Sequence, residues 1–253
     1  MIKIQNLKKR YAQITAVDDL NLTIQEGEIF GFIGPNGAGK TTTIKMMGGI
    51  LAPTSGSVMI CGINMGKDPE NAKRRIGFIP DRPYLYEKLT GMEFLRFISG
   101  LYGLDPSQFQ KKAETYLELF SLTEWSHDLI ESYSHGMRQR LIMASAFLHE
   151  PQVIIVDEPM VGLDPMAVVL VKNLFKRFAE KGRSIFMSTH SLHVAQDLCH
   201  RIGIIHKGKL IAVGTLDELR QNTHHKDADL EKVFMALTIQ EEHNPGAGAG
   251  IES

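Results

Sequence analysis

The sequence predicts an α/β fold: a core parallel sheet with helices, an antiparallel β stretch ahead of it and a helical segment inserted into it. Three observations carry this reading. Val153-Ile154-Ile155-Val156 is a continuous apolar run closed by Asp157 and Glu158, the pattern of a strand buried on both faces. Strand and helix patterns alternate through the second half of the chain, which is how a parallel sheet is laid down. Residues 1–30 instead alternate apolar and polar, as half-exposed strands do.

The elements follow in order. Ile2 and Ile4, then Leu20, Leu22 and Ile24, keep a two-residue period and predict antiparallel strands. Glu26-Gly27-Glu28 is a turn, and Ile29–Ile33 a short buried strand that runs into glycines. Residues 41–51 read as a helix, and 55–62 as a strand after a Pro-Thr-Ser-Gly turn. From Leu85 to His149 apolar residues fall three and four apart, as in Leu95/Ile98 and Leu141/Ser145/Leu148, so this segment is helical. Beyond the strand at 153–156, the pattern predicts a helix at 165–181, a strand at 184–188, a helix at 191–201 and strands near 202–206 and 209–213. The end of the chain, NPGAGAGIES, has no core pattern, and the tail 238–253 is expected to be disordered.

With 253 residues, 43% of them hydrophobic, the chain is long enough to bury a full core. A net charge of −1 gives no basic field for nucleic acid, so no nucleic-acid partner is expected, and Lys8-Lys9-Arg10 and Lys73-Arg74-Arg75 read as solvated faces. Cys61 and Cys199 have no metal-ligand spacing and suit reduced structural thiols in the cytoplasm. No secretory leader is visible, and no apolar run approaches the roughly 20 residues of a membrane span. Any membrane part is expected on another chain.

The strongest motif is Gly34-Pro35-Asn36-Gly37-Ala38-Gly39-Lys40-Thr41-Thr42, which fits the phosphate loop G-x-x-x-x-G-K-[ST] between a strand and a helix. Glycines let backbone N–H groups curl around an anion, and the helix start adds its positive dipole end. Lys40 suits the β- and γ-phosphates, and the Thr41 hydroxyl suits Mg²⁺. At average composition a chain of this length matches the bare pattern about once in a hundred. Asp157 is expected at the tip of its strand, on a strand neighbouring the phosphate loop, holding Mg²⁺. Glu158, one residue on, is expected to polarise water towards the γ-phosphate. An acid at a strand end often only caps the next helix; beside a phosphate loop the chemical reading prevails.

A third element brings a family into view. Ser132-Tyr133-Ser134-His135-Gly136-Met137-Arg138-Gln139-Arg140 resembles the signature of ABC transporter nucleotide-binding subunits, and the resemblance covers residues 1–237. The usual form is L-S-G-G-Q; Tyr133, His135 and Met137 depart from it, whereas Ser134 and Gly136 are kept. The resemblance implies a P-loop NTPase core with a parallel sheet, an antiparallel β subdomain and an α-helical signature subdomain at about 85–150. It implies that Ser134 and Gly136 touch the γ-phosphate across a dimer, that Tyr11 stacks on adenine, that Gly162-Leu163-Asp164 runs along the dimer seam, and that His190 is the switch histidine. Alone, Tyr11 would be packing, His190 a surface residue and Gly-Leu-Asp-Pro a helix start; their joint order decides otherwise. Where the family commonly has Gln, this chain has Asp81, which is expected to help bind Mg²⁺, with a turn role as the alternative. Asp81, the Y-S-x-G-M form of the signature and Leu230–Thr238 resemble an exporter subgroup.

The implied function is ATP hydrolysis, with Lys40, Glu158 and His190 catalytic, driving transport, in the export direction, through separate permease subunits. The cofactors are ATP and Mg²⁺. The partners are a second copy in an ATP-sandwich homodimer, or a similar ATPase subunit, and the permease, which places the protein on the inner face of the cell membrane. The loop Pro83-Tyr84-Leu85-Tyr86 is expected to meet the permease. The alternative is a soluble ABC-type ATPase of translation or DNA repair, disfavoured by a single uninterrupted cassette. The N-K-x-D motif of a GTPase is absent, and Lys40, Glu158 and His190 together argue against a cassette that binds without turnover.

Overall fold

The computed structural model describes residues 1–82, 84–222 and 229–243. Two sheets carry it. The antiparallel sheet has the order β2-β1-β4-β5, formed by β1 (Ile2–Tyr11), β2 (Ile14–Ile24), β4 (Ser55–Ile60) and β5 (Ile63–Asn64). Ile2, Ile4 and Leu7 all face inward although Leu7 is out of phase, because a bulge with Asn6 at φ 46° resets the alternation. The second sheet has the order β10-β9-β3-β8-β7-β6. Its strands are β3 (Ile29–Ile33), β6 (Ile76–Ile79), β7 (Val153–Asp157), β8 (Ser184–Thr189), β9 (Arg201–His206) and β10 (Lys209–Gly214). All neighbours are parallel except the β9–β10 pair. Strands β3, β7 and β8 are buried along their whole length, and Phe186 of β8 packs its ring 5.9 Å from Phe30 and 5.2 Å from Phe32 of β3.

This order corrects one expectation. Asp157 is not on a strand adjoining the one that feeds the phosphate loop, because β8 lies between β3 and β7. A continuous apolar run shows that a strand is buried, and carries no information on which strand is its neighbour.

The helix after the phosphate loop, α1, is Lys40–Met47 and stops short of the expected 51. Gly48 and Gly49 end it: Gly49 takes φ +64°, and their N–H groups return to the Ile44 and Met46 carbonyls. A short helix that the pattern did not show, α2 (Pro69–Arg74), starts with Asp68 accepting from Asn71 N–H. The inserted segment holds α3 (Gly91–Tyr102), opened by a reciprocal Thr90–Glu93 capping box, α4 (Pro106–Leu119), capped by Asp105, and α5 (His135–Leu148), capped by Ser134. At its base His149 stacks on Tyr102 at 3.6 Å and lies 3.0 Å from the Ile76 carbonyl of β6.

Helix α6 (Pro165–Glu180) follows β7, and α7 (Leu192–Leu198) follows β8. Helix α7 is shorter than the predicted 191–201 because β9 already starts at Arg201. Helices α8 (Leu216–Asn222) and α9 (Leu230–His243) complete the described chain. The tail expected to be disordered from 238 is helical through His243; its remainder, 244–253, lies outside the described residues. Among the described residues no helix is long and apolar enough to cross a membrane.

Candidate functional site

The C-terminal ends of β3, β7 and β8 and the loop after β6 open onto one cleft of about 430 Å³. The phosphate-loop residues Asn36, Gly37, Gly39, Lys40, Thr41 and Thr42 form one side of it, and Asp81, Asp157, Glu158 and His190 also line it. Such a position, beyond the carboxyl ends of parallel strands, is where α/β sheets bind ligands.

Gly39 shows why the loop needs glycine. It sits at φ +111°, and a Cβ there would lie 2.5 Å from the Ala16 carbonyl. Two residues on, the Thr41 hydroxyl donates to Asp157 Oδ2 at 3.0 Å, so α1 bridges the gap that β8 leaves. Lys40 is buried, and its ammonium donates to the Gly34 carbonyl at 2.6 Å and the Pro35 carbonyl at 3.2 Å. Burial pulls its pKa down, and the negative charges of Glu158 and Asp157 push it back up. A cation held beside two carboxylates in a partly dry cleft is poised for a strongly anionic ligand.

The two acids are held differently. Asp157 is 4% exposed, pairs in register with Ser188 of β8 and accepts a short bond from the Ser188 hydroxyl. Glu158 accepts from the Thr189 hydroxyl at 3.1 Å and from His190 N–H at 2.9 Å, and its Oε1 lies 2.8 Å from His190 Nδ1. A carboxylate held by two donors, one on each oxygen, has a fixed direction, which is what activation of a water requires.

The other residues named from the sequence lie elsewhere. Tyr11, half exposed at the end of β1, carries the Lys9 ammonium 5.2 Å above its ring and does not line the cleft. Ser134 and Gly136 also lie off the cleft, at the N-terminus of α5, where Ser134 accepts from Met137 N–H at 3.3 Å. This N-terminus packs on the loop after Glu158: a Cβ on Gly162, which has φ +76°, would collide with the His135 ring. Asp164 caps α6, accepting from Ala167 N–H at 2.9 Å, with Pro165 in the first helical turn. The structure thus brings Lys40, Thr41, Asp81, Asp157, Glu158 and His190 together in one chain, and leaves Tyr11, Ser134, Gly136 and Asp164 outside.

Sequence reasoning missed Ser188 and Thr189 as functional groups, although both hydroxyls hold the acids. Their signal was present: two hydroxyl residues at the tip of a buried strand, directly before His190. Ala16 and Val161 also line the cleft; nothing in their residue types marks them.

A phosphate loop, a strand-end acid and a clamped second acid on a parallel sheet define a P-loop nucleotide hydrolase. The comparisons narrow this class. The family model described as ABC transporter matches residues 17–161. The linearmycin resistance ATP-binding protein LnrL of Bacillus subtilis is 39% identical over 219 residues, 87% of this chain and 70% of that protein. A solved ATP-binding subunit of an ABC transporter superposes with a TM-score of 0.90 at 34% identity, covering 94% of this chain and 99% of the other. The dimeric, post-hydrolysis cassette MJ0796 bound to ADP and Pi superposes with a TM-score of 0.79 at 28% identity, over 85% of this chain and 99% of that one. The chain belongs to the ABC transporter family and is its ATP-binding, ATP-hydrolysing subunit. The alternative of an ATPase unconnected with transport is not favoured by these relatives.

Proposed function

We propose that this subunit works as an ATP-sandwich dimer that drives export through separate membrane subunits, with Glu158 as the residue that activates water. The observation that carries the reading is the clamp on Glu158 by Thr189 and His190, on the cleft that also holds Lys40 and Thr41. Residues 34–42 wrap the phosphates, Lys40 neutralises the terminal two, and Glu158 takes a proton from the attacking water. His190 and Lys40 stabilise charge on the phosphoryl group.

The oxygen-only donors Thr41 and Asp157, 3.0 Å apart, fit a hard cation such as Mg²⁺, and Asp81 adds a carboxylate on the same cleft. Among the described residues no three acidic, His or Cys side chains cluster as a metal cage. This suits a cation shared between few protein oxygens and the substrate's phosphates. When bound, Mg²⁺ supplies neutralisation of the β- and γ-phosphate charge.

Dimerisation is supported by what one chain leaves undone. Ser134 and Gly136 sit off their own cleft, so they serve a γ-phosphate only when presented by a second copy; the solved MJ0796 relative is itself dimeric. Tyr11, although off the cleft lining of the single chain, stacks on adenine, and Asp164 lies along the seam. Export is supported by the Tyr133-Ser134-His135-Gly136-Met137 signature, by Asp81, and by the linearmycin resistance in the LnrL name. The subunit then sits peripherally on the inner face of the membrane, bound to its permease.

Glu158→Gln tests the reading. It keeps the size of the side chain and removes the base, so steady-state hydrolysis falls by about 10²- to 10⁴-fold and ATP with Mg²⁺ yields a dimer on size-exclusion chromatography. A variant that runs as a monomer with and without ATP refutes the sandwich.

A further inference from the structure

Helix α9 lies outside the residues matched by the family model, yet it reaches the site. Leu230 and Val233 are fully buried in a cluster with Ile33, Ile202 and Ile204, and Leu192, Phe234 and Leu237 pack against it. Leu230, Val233, Phe234 and Leu237 make one apolar stripe on the helix. Two members of the cluster flank the chemistry: Ile33 immediately precedes the phosphate loop, and Leu192 lies two residues past His190. The start of α9 is also tied to α7, since Gln196 Oε1 accepts from Leu230 N–H at 2.9 Å.

Phe234 extends this stripe to the phosphate loop. Beside the main cleft lies a second space of about 290 Å³, bounded by Gly34, Pro35, Asn36, His190, Leu192 and Phe234. The two spaces share Asn36 and His190. The His190 side chain is 65% exposed, and its Nδ1 lies 2.8 Å from Glu158 Oε1. A mostly exposed ring is loosely set, and Phe234 bounds the space beside it into which it can turn. In this chain the wall on α9 is an aromatic ring.

We propose that Phe234 is a positioning residue for ATP hydrolysis: it bounds the space beside the phosphate loop and thereby sets the orientation of the His190 ring. The proposal rests on the reading of His190 given above. It assigns α9 a task inside its own chain, distinct from binding nucleotide and from holding the dimer.

Four purified full-length proteins test it: wild type, Phe234→Ala, His190→Ala and the double variant. Phe234→Ala is expected to lower kcat about fivefold to tenfold while KM for ATP stays within twofold. Phe234→Leu, which keeps an apolar wall, recovers at least half of the lost rate. In the double variant the Phe234 change adds less than twofold to the loss caused by His190→Ala, because residues acting through one another are not additive. Multiplying losses in the double variant, or a raised KM with kcat unchanged, overturns the proposal. A second measurement separates assembly from positioning: Glu158→Gln with Phe234→Ala must still dimerise with ATP and Mg²⁺, and loss of that dimer assigns Phe234 to assembly and overturns it. If Phe234→Ala does not fold, Phe234→Leu and Phe234→Met take its place, and unchanged kcat in both overturns the proposal. Full activity of His190→Ala sinks the His190 reading itself, a result distinguishable from failure of Phe234 alone.

Discussion

His149 is neutral by construction, and the consequence is measurable. It ends α5, stacks on Tyr102 of α3 at an interplanar angle of 14°, and lies with Nε2 3.0 Å from the Ile76 carbonyl. That carbonyl accepts, so Nε2 carries the proton, and Nδ1 is buried with no hydrogen-bond partner among the described residues. Burial chiefly, with the nearby Lys112 charge, pushes the pKa from 6.5 down to about 4, against the opposing hydrogen bond to Ile76. The folded pKa is therefore below the unfolded one. Above pH 6.5 both states are neutral at this site and no penalty exists. As pH falls below 6.5 the unfolded chain takes up a proton that the folded chain refuses, so stability drops; below about pH 4 both are protonated and the loss levels off. At 1.36 kcal/mol per unit the full loss is about 3 kcal/mol, and about 2 kcal/mol is reached at pH 5. Urea denaturation of wild type and His149→Phe at pH 8, 6 and 5 checks this. Phenylalanine keeps the stack on Tyr102 and cannot titrate, while the carboxylates titrate alike in both proteins. The wild type is expected to lose about 2 kcal/mol more than the variant between pH 8 and 5. Parallel losses in the two proteins refute the reasoning.

Other predictions address the composite site and the permease. Mixing Ser134→Arg subunits with Lys40→Ala subunits should restore about one working site per heterodimer, read as ATPase activity above that of either mutant alone; proven heterodimers without recovery remove the trans assignment. Asp81→Asn should raise the Mg²⁺ concentration for half-maximal hydrolysis severalfold without moving the melting temperature, and an unchanged requirement assigns Asp81 to its turn. Tyr84 is 85% exposed, and Tyr86, 60% exposed, touches Phe97 edge-on at 5.3 Å. Changing both to Ser should abolish transport in membranes while the purified subunit keeps near-normal ATPase activity; misfolding instead assigns the rings to packing.

The sheet core was legible because burial on both faces leaves unmixed apolar runs, and Ile29–Ile33 and Val153–Asp157 are such runs. The chemistry was legible where it is local: Lys40 and Thr41 follow their glycines directly, and Glu158 follows Asp157. Contacts made across the sheet were not. Ser188 and Thr189 stand 31 residues from the acids they hold, and their pairing depends on β8 being inserted between β3 and β7, which sequence order does not encode. Short helices such as α2 escaped because six residues are too few for a helical period to show. Phe234 escaped for the opposite reason: it sits in a well-formed apolar stripe, and nothing in that stripe marks the one member that leaves the core for the phosphate loop.

The placement of β8 also explains how two adjacent acids serve one cleft. Consecutive residues of a strand point to opposite faces, yet Asp157 and Glu158 both line the same space. The backbone resolves this at Glu158, which takes φ 52° in the left-handed region, a conformation that costs a non-glycine residue about 1–2 kcal/mol. Its N–H donates to the Ser188 carbonyl at 3.0 Å, and two donors hold its carboxylate, so the strained turn is fixed from both ends. Ser188 and Thr189 divide the work in the same way, one hydroxyl to each acid. Asp157 is thereby directed at Thr41 on the phosphate-loop helix, while Glu158 is directed at the His190 loop. The first is a buried attachment to the phosphate-loop helix; the second lies against an exposed ring that shares a space with Phe234 of α9. One acid is thus attached to the phosphate-loop helix, and the other faces the loop that meets α9, the last described helix.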